Sequence, residues 1–264
     1  MARFVLPLVI AIVVASTGIA NPSAPAVGVV LQANGAVVVR ADSRMETSAK
    51  AGELLFAGDR LRTRDTAAAF IFCPHKQSET LAPASDALLT ASDIQVSAGR
   101  ILSRAPLASC LVPQMVRVTA ASLQHFGATI VRGESELMAA VVKLTGRRVD
   151  LAPAFVPLDP GDYQVDFLPP EGGAVSGKIN YDAGSQTSLS VPGLTPGFYT
   201  VKVLSADGVL AGTAPVLVTR GEEFDAKNAE FQNAKAFTLT WPKDTDHSAA
   251  QLFLGAVLMD MAGR

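Results

Sequence analysis

From Val27 to Leu102, short runs rich in valine, leucine, isoleucine and phenylalanine alternate with turn-forming residues, and within the runs the side chains repeat with a period of two. That period places successive side chains on opposite faces of a strand, so the stretch is confined to β structure. Strands are expected at Val27–Leu31, Ala36–Arg40, Arg60–Thr63, Ala67–Phe72, Glu79–Ala82, Ala87–Thr90, Ile94–Val96 and Gly99–Leu102. The pair Asn34-Gly35 between the first two runs predicts a hairpin. In the run Ala67–Phe72, Ala68, Phe70 and Phe72 share one face while Ala67, Ala69 and Ile71 share the other. A strand apolar on both sides is expected to be covered on both.

The chain opens with Arg3, an uninterrupted apolar run from Phe4 to Val14 and the small, polar stretch Ala15–Ala20. This is the layout of a signal peptide, residues 1–20, with cleavage expected after Ala20 and a periplasmic or secreted product. The alternative is an uncleaved inner-membrane anchor, since the apolar stretch reaches about 17 residues, the lower edge of a bilayer span. No further membrane span is expected once the signal is removed. Both cysteines, Cys73 and Cys110, lie in the exported part, where a disulfide between them is the simplest reading. Cys73, Pro74 and His75 also bring a thiol and an imidazole close together, which keeps a thiol or metal site as the weaker alternative.

The most specific pattern is Ala51–Thr63, reading Ala-Gly-Glu-Leu-Leu-Phe-Ala-Gly-Asp-Arg-Leu-Arg-Thr. It resembles the core motif of the FecR-type periplasmic domain, with Gly52, Leu55, Gly58, Asp59, Leu61 and Thr63 at the matching positions. The resemblance covers about residues 26–104 and implies a compact β domain, here bounded at 26–112. It departs at the central turn, where Cys73-Pro74-His75-Lys76 stands in place of an Asn-Gly or Asp-Gly pair, and a special local structure fixed by the disulfide is expected. A glycine such as Gly58 can supply a positive φ in a tight turn and Asp59 can accept hydrogen bonds from nearby amides, so neither requires a catalytic role. Arg60, Arg62 and Arg64 alternate along the next strand, forming either a solvated edge that discourages aggregation or a contact patch for an anionic partner.

Residues 113–152 read as a connecting region. Strands are expected at Met115–Thr119 and Ala128–Val131 on either side of His125. A helix over Glu134–Leu144 follows from the stripe Leu137, Met138, Val141 and Leu144, with Gly146 as its stop. Gly133-Glu134-Ser135-Glu136 lacks the second glycine of a nucleophile elbow, so Ser135 is read as a cap or first-turn residue. After the linker 153–160, strands at Tyr163–Leu168, Val175–Ile179, Thr187–Val191, Gly197–Leu204 and Pro215–Thr219 point to a small β-sandwich over 153–221. Its run Pro192–Val201 resembles the Pro-Gly-Tyr turn of bacterial immunoglobulin-like and carboxypeptidase-regulatory-like modules, with Tyr199 expected in the core. The segment 222–264 carries a helix at 249–262, with Ser248 and Gln251 placed for a capping box. That helix is apolar nearly all round, which implies burial between the domains or against a partner. The fold class is therefore mainly β, with one or two helices including the C-terminal one.

A net charge of −2 offers no basic field for nucleic acid. An aromatic content of 6%, with one Trp and three Tyr, gives few platforms for stacking sugars. Phosphate-loop, dinucleotide, zinc-protease and paired-cysteine signatures are absent from the sequence, and three scattered histidines do not make a triad. Glu53, Asp59 and Asp65 could supply paired carboxylates, but turn chemistry accounts for them more simply. No catalytic residue, metal or cofactor is expected. The expected function is non-catalytic binding or scaffolding in the bacterial envelope through protein–protein contact. The alternatives are a peptidoglycan- or polysaccharide-binding module, or an accessory role in transmembrane signalling. The regulators of the resembled family carry a cytoplasmic segment ahead of a membrane helix; only Met1–Arg3 precede the apolar run here, so a signalling role is expected to need a separate membrane partner.

Overall fold

The structure is a computed structural model that describes residues 24–41, 44, 46–112, 138–151, 160–182, 188–242, 245 and 247–263. The signal segment 1–20, the strands expected at Met115–Thr119 and Ala128–Val131, His125 and Ser135 lie outside the described residues. The described chain is mainly β, in three sheets with two long helices.

Ten strands make the N-terminal unit: β1 (Ala26–Gln32), β2 (Val37–Val39), β3 (Glu46–Ser48), β4 (Leu54–Phe56), β5 (Arg60–Arg62), β6 (Ala68–Phe72), β7 (Gln77–Leu81), β8 (Asp86–Leu89), β9 (Ile94–Ala98) and β10 (Ile101–Pro106). They form two five-stranded sheets, ordered β10-β7-β6-β1-β4 and β3-β2-β5-β8-β9. Val30, Leu55, Phe70, Phe72 and Leu81 from the first sheet enclose one core with Val38, Leu61, Ala87 and Leu89 from the second. The Asn-Gly turn forms, with φ of 45° at Asn34 and 79° at Gly35 and a 2.8 Å bond from the Ala36 amide to the Ala33 carbonyl. It does not make the expected hairpin. Both edges of β1 are occupied by β4 and β6, so β2 finds no place beside β1 and passes into the other sheet.

The Cys-Pro-His departure is a single turn of 3-10 helix, Cys73–His75, closed by Lys76 in the left-handed region at φ 51°. The Cys73–Cys110 disulfide, with 5.3 Å between Cα atoms, ties this turn to the segment after β10. Closing a loop of 37 residues removes about 4 kcal/mol of unfolded-chain entropy on the loop-closure model.

The second unit is one seven-stranded sheet built from β11 (Ala140–Thr145), β12 (Arg148–Asp150), β13 (Gly161–Leu168), β14 (Val175–Tyr181), β15 (Ser188–Ser190), β16 (Gly197–Ser205) and β17 (Leu210–Arg220). Its order is β14-β13-β16-β17-β11-β12-β15, with β11 parallel to β17. The sheet curls into a sandwich-like shape: β15 returns so close to β14 that a Cβ at Gly177 would lie 2.5 Å from the Leu189 side chain. Tyr199 is in its core, edge-on to Phe167 and donating from its hydroxyl to the Thr195 carbonyl at 2.9 Å.

The helix expected over Glu134–Leu144 is instead strand β11 through its described part. Its apolar run fits either period, and Val141 and Val142 are β-branched, which favours the strand. Gly146, at φ 63°, starts the two-residue hairpin turn that pairs Thr145 with Arg148, and does not end a helix. The sheet therefore recruits residues from before 153 as well as after it.

Two helices complete the described residues, α1 (Gly221–Thr238) and α2 (His247–Gly263). Ala249, Phe253, Leu254, Val257, Leu258 and Met261 of α2 are buried in one shared core. On one side of that core stand Val29, Leu31, Leu54, Phe56 and Ile71; on the other stand Val141, Phe198 and Leu217; Phe231, Ala234 and Phe237 of α1 close it. The apolar C-terminal helix thus packs between the two β units. Gln251, expected to cap its own helix, accepts a 3.1 Å hydrogen bond from the Ala139 amide of the second unit. Lys227 donates to the Met261 carbonyl at 2.6 Å, satisfying an end carbonyl of α2. Among the described residues no helix is long and apolar enough to cross a membrane.

Trp241, the one tryptophan, sits edge-on to Phe253 at 5.4 Å and to Phe237 at 5.9 Å. Phe253→Ala is expected to lower stability by about 3–5 kcal/mol in urea unfolding and to shift Trp241 emission to the red. An unchanged midpoint would mean that this core does not hold the units together.

Candidate functional site

The stretch Lys50–Asp59 gathers several buried polar contacts. Asp59 is fully buried and accepts hydrogen bonds from the Phe56 amide at 2.9 Å, the Ala41 amide at 3.2 Å and Arg40 Nη1 at 2.5 Å. The same Arg40 nitrogen donates to the Leu54 carbonyl at 3.0 Å, and Nη2 pairs with Glu53 Oε1. Glu53 Oε2 accepts the Lys50 amide at 2.9 Å, and the guanidinium lies 5.5 Å from the centre of the Phe56 ring. One cation thus holds two carboxylates and three turns together. Breaking a buried pair of this kind costs about 3–5 kcal/mol, because the remaining charge loses its partner in a dry setting.

Of the six motif positions, Asp59 belongs to this cluster and Gly52, Leu55 and Gly58 lie in the same stretch of chain. Leu55 and Leu61 point into the core, and Thr63 Oγ1 donates to the Ala82 carbonyl at 2.5 Å while accepting the Ser85 amide at 2.9 Å. Gly52, at φ 83°, supports α2: a Cβ there would lie 2.2 Å from the Ala249 carbonyl oxygen. Asp65 is exposed and has no part in the cluster, so the three carboxylates singled out in the sequence are not one group. Arg40 was not legible as their partner, since it contacts residues 13 to 19 positions away and ends an ordinary valine run.

A second group lies on the outer face of the β3-β2-β5-β8-β9 sheet. Register aligns Val37, Arg62, Asp86 and Ala98 in one row across four strands. Arg60 reaches Asp86 at 3.2 Å; Arg62 reaches Asp86 at 2.7 Å and Glu46 at 2.5 Å. Asp86 holds Arg62 still more firmly in its charged form. Arg64 lies just past the strand, exposed, with no ion-pair partner among the described residues. Arg62 and Arg64, with Glu46 and Asp86, line an open cleft of about 360 Å³ that also takes in Thr63, Ala84 and Ser85; Arg60 lies outside it. The structure brings the three arginines to one face and neutralises two of them.

A third cluster surrounds His75. Its Nδ1 is 3.5 Å from Glu79 Oε1 and its Nε2 is 3.5 Å from Asp93 Oδ1, while Arg104 Nε donates to Glu79 Oε2 at 2.9 Å. Cys73 is in its disulfide, so no thiol faces this imidazole. No group of three metal-ligating side chains is assembled among the described residues.

No family model and no curated protein matches this chain.

Burial pushes the Glu53 carboxyl above its ordinary value of 4.5, with Arg40 and the Lys50 amide pulling the other way to a smaller extent. A carboxyl that holds its proton more tightly when folded stabilises the fold most below 4.5, and that contribution is lost as pH rises through the folded value. Glu53→Gln, which cannot titrate, is therefore expected to gain stability relative to the wild type as pH rises above 4.5. Urea midpoints of both proteins across this range check the sign, and a constant difference would contradict it.

Proposed function

We propose that this protein is an exported envelope protein of the FecR-domain type that binds or scaffolds other proteins and does no chemistry of its own. One observation supports the reading. The two carboxylates of its most distinctive motif, Glu53 and Asp59, are turned inward and held by Arg40, where they brace a turn, and Gly52 beside them seats the helix between two β units. Buried carboxylates engaged by a guanidinium and by backbone amides contribute shape, not reactivity. The outer surfaces that this bracing holds in place, chiefly the Arg62–Asp86 face, are then the parts available to a partner. A protein is preferred over glycan because, of the aromatic residues suited to sugar stacking, Trp241, Tyr181 and Tyr199 are buried and Tyr163 is partly buried against the second unit's core.

The test is cross-linking of the tagged protein in an envelope preparation, with sedimentation on isolated peptidoglycan in parallel. The reading predicts a discrete cross-linked protein species and a tagged protein that stays in the supernatant above peptidoglycan. Sedimentation with peptidoglycan and no cross-linked species would overturn it in favour of a cell-wall module.

A further inference from the structure

We infer that His75 is a pH-responsive clasp: charged, its ring ties the two sheets of the first β unit together at one end, and neutral, it lets that end loosen. Glu79 stands opposite Phe70 on the core-facing side of β7 and is fully buried. Arg104 Nε, from β10, occupies its Oε2 at 2.9 Å, while Oε1 has no hydrogen-bond partner among the described residues. His75 Nδ1 faces that oxygen from 3.5 Å. On the other side of the ring, Nε2 is 3.5 Å from Oδ1 of Asp93, in the turn between β8 and β9 of the second sheet. One imidazole therefore stands between carboxylates that belong to two different sheets.

Protonation decides what the ring can do there. A neutral imidazole carries one N–H and one bare nitrogen, so whichever nitrogen is bare turns its lone pair on a carboxylate oxygen. The charged ring carries an N–H on both sides and answers both carboxylates, including the buried oxygen that otherwise goes without a donor. Imidazoles change charge between about pH 5 and 8, so the clasp adds stability on the acid side of that range and loses it as pH rises. The charged groups around it are Glu79 from β7, Asp93 from the β8–β9 turn and Arg104 from β10, whose guanidinium is engaged by the far oxygen of Glu79; Lys76, next along the turn, is exposed. Phe72 meets the ring edge-on at 4.8 Å. The turn that carries His75 also carries Cys73, whose disulfide to Cys110 fixes it to the segment where Leu107, Leu111 and Val112 pack on the shared core. The ring thus sits on a fixed base, and the partner able to move is the turn Thr90–Asp93, in which Ala91, Ser92 and Asp93 are exposed.

The test compares the whole protein, its disulfide formed, with His75→Gln by urea unfolding from about pH 5.5 to about pH 8. Glu53 is present in both proteins, so its titration cancels in their ratio. The folding equilibrium constant of the wild type relative to the variant is expected to be highest at the acid end and to fall about fivefold toward pH 8, the upper end of what a partly exposed ion pair supplies. Asp93→Asn, an exposed change that removes one of the two carboxylates, is expected to show a smaller fall. In the wild type, the His75 ring resonances, assigned by through-bond NMR, are expected to titrate together with the amide of Ile94, which donates to Asp93 Oδ1. A ratio that does not change with pH, a ring that stays neutral down to about pH 5.5, or a titrating ring that leaves the Ile94 amide unmoved would each overturn the clasp. If His75→Gln does not fold, the wild-type titration alone decides between these outcomes.

Discussion

An α-helix that is apolar on nearly every face cannot stand in water, and α2 is such a helix. Its burial requires surfaces on opposite sides, so the two β units must face one another across it. This requirement explains why strands that would ordinarily show one face to solvent are apolar on both. In β6, Phe70 and Phe72 fill the core of the first unit while Ile71 reaches the shared core. In β11, Ala140 and Val142 fill the second unit's core while Ala139, just before the strand, and Val141 reach toward α2. Gly52 belongs to the same requirement, since only a residue without a side chain lets the motif turn touch the first turn of the helix.

The bonded cluster at Arg40, Glu53 and Asp59 answers a related problem. The turn that meets α2 carries backbone amides away from regular sheet pairing, and buried amides need acceptors. Asp59 and Glu53 supply them, and Arg40 offsets the resulting charge. Burial pushes the Glu53 carboxyl upward against the smaller pull of Arg40. Arg40, Glu53 and Asp59 thus serve as joints between turns.

Much of this was legible from local pattern. The period of two, the double-sided β6, the disulfide, the core position of Tyr199 and the apolar helix all follow from neighbouring residues. What was not legible depends on contacts distant in sequence. The turn at Asn34-Gly35 was correctly placed, but whether β2 pairs with β1 depends on β4 and β6 claiming both its edges. The run before Gly146 fits helix or strand by periodicity alone, and parallel pairing with β17 decides it. Helix α1 was obscured by its many polar residues, although Phe224, Phe231, Ala234 and Phe237 recur at helical spacing and Glu222 and Glu223 suit its first turn. Arg40 and the two carboxylates are an ordinary valine-run ending and two turn residues until the fold brings them together.

Amide hydrogen exchange under native conditions tests most directly the claim that α2 makes both β units one cooperative body. The most protected amides of the first unit, those of Phe70 to Phe72 in β6, are predicted to open with the same limiting free energy as those of Val201 to Val203 in β16. Both sets should fall in parallel as urea is added. A persistent gap between them, with one unit opening while the other stays protected, would show two independent domains with a helix attached to one, and would contradict this account.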